Sequence, residues 1–154
     1  GRGAGLSSEG LARKVWAIET AIALNRPDPA DPLDVLHKVG GLDIAGLAGV
    51  FLGGAMHRVP VLVDGFISSA AALTAAALCP ACKDYMLGSH ASNEPAGKLV
   101  LDALGLRPFL FAGMCLGEGT GAVAVLPLLD MALAVYREMC TFAAADIEAY
   151  QPLT

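Results

Sequence analysis

The sequence is poor in aromatic and in charged residues. Aromatics make up 6% of it, with a single Trp, and Asp, Glu, Lys and Arg together make up 16%. The 55% of hydrophobic residues is therefore mostly Ala, Leu and Val. Such small side chains suit close helix-on-sheet packing and predict apolar surface meeting another part of a larger protein or another subunit. Positive charge is also short, with 10 Lys and Arg against 15 Asp and Glu for a net charge of −5. That balance argues against a nucleic-acid partner, which needs a basic face. A small anion stays compatible, because loops and helix ends hold phosphate without net positive charge.

Other absences narrow the class further. No signal peptide accompanies the four cysteines, so a reduced, cytoplasmic setting is expected. Cys79-Pro80-Ala81-Cys82 has C-x-x-C spacing, but no second pair and no suitably spaced His go with it. No metal or cofactor site is assigned there, and Cys115 and Cys140 are expected to be small buried apolar residues. The uncharged stretch from Gly65 to Cys82 approaches membrane-span length. Ser68, Ser69, Thr74 and Pro80 interrupt it, which predicts a buried helix flanked by turns and no membrane partner. Finally, no Met opens the chain and no strand leads into Gly1-Arg2-Gly3-Ala4-Gly5. This start reads as a cut inside a loop and predicts a fragment.

What is present alternates in period. At 154 residues the chain is long enough for one proper core, and residues 1–58 read as mainly helical. Ser7-Ser8-Glu9 caps a helix over 9–24 with Leu11, Val15, Ile18 and Ile22 on one face. Pro32 opens a second helix to Val39, ended by Gly40-Gly41, and residues 43–56 form a third. From residue 59 the pattern becomes βαβ. Val59 to Val63 is a Val-rich run that predicts a buried parallel strand, and residues 84–87 and 108–112 predict two more. Helices over 68–78 and 95–104 lie between the strands, and helices follow from Gly119 through Pro127 to Cys140. The expected fold is α/β, a Rossmann-like parallel sheet with helices on both faces.

In such sheets ligands bind beyond the carboxyl ends of the strands. Three polar loops fall there: Asp64-Gly65, Ser89 to Ser92, and Gly117-Glu118-Gly119. Glu118 is the most informative residue, a single carboxylate in the run Gly117-Glu118-Gly119-Thr120-Gly121 just ahead of a helix. Glycines let the backbone take positive φ and let a ligand approach closely. A following helix would set free N–H groups beside the carboxylate and favour its ionised form. Glu118 is then a base or acceptor, or it simply caps the helix. Lys14, about one turn into the first helix, either reaches back to an anion in the opening loop or is a solvated lysine. His90 is the best-placed histidine for chemistry, with a loop imidazole bonded to backbone as the plainer reading.

The order of motifs resembles a known family. Gly1-Arg2-Gly3-Ala4-Gly5, Glu9-Gly10-Leu11-Ala12-Arg13-Lys14, Asp31-Pro32-Leu33-Asp34-Val35-Leu36, and Gly40-Gly41-Leu42-Asp43-Ile44-Ala45-Gly46-Leu47-Ala48-Gly49 are followed by Pro60-Val61-Leu62-Val63-Asp64-Gly65-Phe66-Ile67 and Leu116-Gly117-Glu118-Gly119-Thr120-Gly121. Together these closely resemble the nicotinate-nucleotide:dimethylbenzimidazole phosphoribosyltransferases, over nearly the whole chain.

The resemblance implies transfer of phosphoribose from nicotinate mononucleotide to dimethylbenzimidazole, giving α-ribazole phosphate and nicotinate with inversion at the anomeric carbon. It implies Glu118 as general base, Lys14 and Ser92 as phosphate contacts, Gly3 in the matching opening loop, and Gly65, Leu116 and Gly117 lining the nucleotide and base pocket. It also implies no metal or other cofactor, and a homodimer. Ala4 stands where many members carry Thr, and no functional change is inferred from it. Members are about twice this length, so the amino-terminal half of the fold, with much of the benzimidazole pocket, is expected to be missing and the fragment alone inactive. A competing reading is a non-catalytic module that self-associates or binds a partner through its Ala-rich helices.

Overall fold

A computed structural model of the chain describes residues 1–3, 5–148 and 150–152. Position 4, singled out above, lies outside the described residues. The chain runs through α1 (Ser8–Asn25), α2 (Pro32–Val39), α3 (Leu42–Met56), β1 (Val61–Val63), α4 (Phe66–Leu78), a 3-10 helix (Pro80–Tyr85), β2 (Met86–Gly88), α5 (Gly97–Leu104) and α6 (Thr120–Glu138).

Local chemistry sets the first helices. Ser7 is the N-cap of α1, its hydroxyl accepting the Gly10 N–H at 3.1 Å. Asp31 does the same for α2 through the Leu33 N–H at 2.9 Å, with Pro32 in the first turn. Each such cap stabilises a helix by about 1 kcal/mol. Asp34 accepts from the Lys38 ammonium at 2.8 Å and from the Asp28 N–H at 2.7 Å, which pins the proline-rich linker to α2. Those bonds, Lys38 first, hold the Asp34 carboxyl below its ordinary pKa.

The core gathers around α4. Ala71, Ala72 and Ala75 are wholly buried and Ala76 nearly so, against Phe51 and Ala48 of α3, Leu101 and Leu104 of α5, Val63, Met86 and Cys82. Methyl side chains let α3 and α5 draw close to α4, and a larger residue there would overpack by about 1–3 kcal/mol. Gly54 carries the same constraint on α3, because a Cβ there would overlap the Val61 side chain. The stretch weighed as membrane-length is thus a 13-residue helix with one buried face, followed by the 3-10 turn.

The α/β expectation holds, with a smaller sheet than the sequence suggests. β1 and β2 pair in parallel, Val61 opposite Met86, Leu62 opposite Leu87 and Val63 opposite Gly88. β1 starts at residue 61, not 59, because Val59 donates its N–H to Gly54 O at 2.8 Å and so belongs to the end of α3. Residues 84 and 85 are taken by the 3-10 helix, which moves β2 to Met86–Gly88. The third strand contracts to one parallel bridge between Leu110 and His90, as Phe109 and Leu110 both turn their N–H groups to Ser89 O. α5 begins at Gly97, since Pro95 and Ala96 lie in the turn that Gly97 closes on Glu94 O. Pro127 does not divide the last segment. α6 runs through it as one helix, at the loss of one intrahelical bond.

Apolar residues stay exposed at three places, one of them against expectation. Val15, Ile18 and Ile22, read as one apolar face, are each about half exposed, because α1 packs chiefly against α2. Cys115 and Cys140 are exposed, the first in the glycine-flanked loop and the second beyond α6. α6 buries only Gly121 and Val125. It is also the one helix among the described residues long and apolar enough, by length and composition alone, to cross a membrane.

Cys82 has no exposed surface, and its thiol pKa is pushed up by burial and then by the neighbouring Cys79. Alkylation at neutral pH is expected to label Cys79, Cys115 and Cys140 in the native protein and Cys82 only after unfolding. Mass spectrometry of native and denatured samples reads this difference, and rapid native labelling of Cys82 would contradict the packing.

Candidate active site

β1 delivers Asp64 and Gly65 to the rim of the sheet. The Asp64 carboxylate reaches across to α6, Oδ1 accepting the Ala122 N–H at 2.9 Å and Oδ2 the Gly119 N–H at 3.2 Å. Gly119, the N-cap of α6, has no side chain to offer. The helix is capped instead by an aspartate 55 residues upstream of it in the chain. Two of the N–H groups expected beside Glu118, those of Gly119 and Ala122, are therefore held by Asp64 and not by Glu118. Among the described residues Glu118 makes no side-chain hydrogen bond or ion pair, and it is exposed.

The loop around Glu118 is left-handed over three residues in a row, with φ of 74° at Gly117, 60° at Glu118 and 78° at Gly119. Glycine takes this conformation freely, whereas a residue with a Cβ carries a penalty of roughly 1–2 kcal/mol. Thr120 closes the turn, donating both its hydroxyl, at 2.6 Å, and its N–H, at 3.1 Å, to Gly117 O. Gly65 faces this turn closely, since a Cβ on it would lie 3.8 Å from Gly117 Cα. Two residues chosen from the sequence, Gly65 and Gly117, thus stand together. Leu116 precedes them, 73% exposed.

The second rim loop leaves β2 through Ser89 and His90. Ser89 Oγ donates to Val63 O at 2.7 Å and lies 3.2 Å from Asp64 O, so it ties β2 to the end of β1. His90 Nδ1 is 3.0 Å from the same hydroxyl. With the Ser89 proton committed to a carbonyl, Nδ1 carries hydrogen and donates, a tautomer assigned from the network. The imidazole is buried and bonds a side chain, not the backbone partner expected of it. Its ring lies against Gly121, where any Cβ would overlap it. Further along, Ser92 Oγ accepts the Glu94 N–H at 3.2 Å, and Ser92 Cβ would lie 3.1 Å from a Cβ on Gly97. Ser92 therefore stands at the start of α5, whose N-cap Ala96 supplies no side-chain acceptor.

The opening loop meets this second loop. Lys14 Nζ donates to Gly1 O at 3.3 Å and lies 4.0 Å from where a Cβ on Gly3 would be. The Gly1 backbone abuts the Glu94 carboxylate and Pro95. Gly3 and Lys14 are thus gathered beside the loop that holds Ser92, while Gly65, Leu116, Gly117 and Glu118 form a second group. Asp64 and the Ser89-His90 pair join the second group, and sequence reasoning assigned no role to the aspartate. Its sequence signal was a lone acidic residue at a strand end. Among the described residues no cluster of three or more His, Cys, Asp or Glu has metal-binding geometry. Cys79 is the C-cap of α4 and Cys82 lies buried in the 3-10 helix that follows it.

In parallel α/β units ligands bind beyond the carboxyl ends of the strands, which is where these glycine-rich loops lie. The chain belongs to the phosphoribosyltransferase family whose profile matches residues 1–147. It is 52% identical over 153 residues to the nicotinate-nucleotide–dimethylbenzimidazole phosphoribosyltransferase of Ruminiclostridium cellulolyticum, covering 99% of this chain and 44% of that protein. The protein of the same name from Acetivibrio thermocellus is 55% identical over 152 residues, covering 99% and 43%. Among solved structures, CobT from Thermus thermophilus superposes with a TM-score of 0.87 at 41% identity, over 97% of this chain and 44% of that one. The chain thus spans less than half the length of the curated relatives it matches.

Gly121 is the position where a single methyl group would be most disruptive, since it would have to displace a buried imidazole. Gly121→Ala is expected to destabilise the fold by about 1–3 kcal/mol, read as a lower urea midpoint. An unchanged midpoint would show that α6 does not rest on His90.

Proposed function

We propose that this chain is the carboxyl-terminal part of a transferase that moves phosphoribose from nicotinate mononucleotide to dimethylbenzimidazole, with Glu118 as its general base. The observation that carries this reading is the freedom of Glu118. It is an exposed carboxylate, presented on a left-handed turn at the ligand-binding rim, and its helix-capping duty is met by Asp64. Family membership and the names of the relatives supply the reaction class.

In this mechanism Glu118 takes the proton from one benzimidazole nitrogen while the other nitrogen attacks the anomeric carbon of the ribose. The bond from that carbon to the pyridine nitrogen breaks, its electron pair leaves with nicotinate, and the configuration inverts. Lys14, Gly3 and Ser92 hold the 5′-phosphate. Lys14 contributes charge, and the glycine loop and the start of α5 contribute N–H groups. Gly65, Leu116 and Gly117 line the nucleotide and base pocket, where the lack of side chains at the two glycines lets the sugar approach the backbone. The chemistry as written uses no metal or other cofactor.

The setting we propose is a cytoplasmic homodimer of family-length chains. The exposed apolar faces of α1 and α6 favour burial against protein. Asp130 lies mid-helix in α6, and a charge at a bilayer centre costs about 2.5–3.5 kcal/mol. The same faces favour a second reading, a module that self-associates without catalysis. The Ala-rich α4 offers it less, since its alanine face is buried and only Phe66, Ile67, Leu73 and Ala77 are exposed.

Two experiments test the main reading. In the family-length protein Glu118→Gln is expected to lower kcat by about 10²- to 10⁴-fold with little change in thermal midpoint, and an unchanged rate would remove Glu118 as base. Residues 1–154 alone, supplied with nicotinate mononucleotide and dimethylbenzimidazole, are expected to show little or no turnover by chromatographic detection of α-ribazole phosphate. Turnover at the family-length rate would show that the remaining chain is dispensable for the reaction.

A further inference from the structure

We infer that Asp64 is the positioning residue for Glu118, holding the base at its working height above the sheet without touching substrate. The inference rests on the assignment of Glu118 as base and goes beyond it by naming what fixes the base in place.

Asp64 is itself anchored firmly. It follows Val63, a buried strand residue, and Ser89 Oγ lies within hydrogen-bond range of both the Val63 and Asp64 carbonyls. From that anchor the carboxylate takes two amides, Gly119 immediately after Glu118 and Ala122 in the first turn of α6. Charge-assisted bonds to N–H groups are shorter and stronger than neutral ones. The pair locks the loop both in distance from β1 and in rotation about α6. One contact alone would leave the rotation free.

The loop needs an external hold. α6 buries only Gly121 and Val125, so it has little packing of its own to fix its start. Glu118 also sits at φ 60° between two left-handed glycines, a conformation that persists only where surroundings impose it. Displacement by about 1 Å costs a catalytic group on the order of 10²-fold in rate. Asparagine at 64 keeps the size of the side chain but offers only one acceptor oxygen. Its amide group would face one of the two N–H donors, so one half of the clamp opens.

The test is a double-mutant cycle in the family-length enzyme. Asp64→Asn is expected to lower kcat by about 10- to 100-fold while KM for nicotinate mononucleotide stays within about threefold. Introduced into Glu118→Gln, the same substitution is expected to change kcat by less than about threefold, because there is no longer a base to position. A general destabilisation would instead reduce both backgrounds by the same factor. Leu104→Ala, in the α5 core, serves as the destabilised control with kcat per folded molecule unchanged. If Glu118→Gln leaves the rate intact, the base assignment falls and the positioning role with it. If Glu118→Gln is slow but Asp64→Asn retains kcat within threefold, or if the two effects multiply, only the positioning role falls. Should Asp64→Asn not fold, Asp64→Ser, which can hold one amide, is read by the same criteria.

Discussion

One carboxylate joins the two ends of the rim. Asp64 closes β1 onto α6 across more than 50 residues of chain, and the bonds from Gly119 and Ala122 are charge-assisted and partly buried. Bonds to a charged group contribute about 1.5–3 kcal/mol each when well formed. α6 has few other attachments: Val125 in the interior and the contact of Gly121 with the His90 ring. Much of what α6 owes to the rest of the molecule therefore passes through a single side chain.

That arrangement works only because neighbouring backbones come close. The methyl groups of α4 let α3 and α5 draw in, Gly54 lets α3 lie on the start of β1, and Gly121 lets α6 lie on the His90 ring. The strand ends are held at one level by Ser89, whose hydroxyl ties β2 to β1. Small residues thus let the elements of the rim pack closely, and close packing is what holds groups at fixed distances.

Where the chain's signals are local, the sequence could be read. α2 begins and ends as expected because Asp31, Pro32 and Gly40 are adjacent to the events they control, and the Ser7 cap of α1 is equally local. The strands were less legible. Their first residues were claimed by the end of α3 and by the 3-10 helix, and the third was reduced to a bridge by hydrogen bonds converging on Ser89. Periodicity in α1 marks an apolar face correctly, yet the face stays half exposed, since a pattern does not say what covers it. The site divides in the same way. Glu118 and its glycines stand out in any reading, while the cap that frees Glu118 lies far away in sequence and carries no local signature.

The left-handed turn has a consequence for selection. A glycine at position 118 would adopt the same backbone angle without the penalty of roughly 1–2 kcal/mol that a side chain brings. A screen that rewards heat resistance alone would therefore drift toward chains that have discarded the carboxylate. Under the role proposed for Glu118, folding and activity pull in opposite directions at this residue, so variants collected for robustness should be sequenced at position 118 before anything is inferred from their vigour.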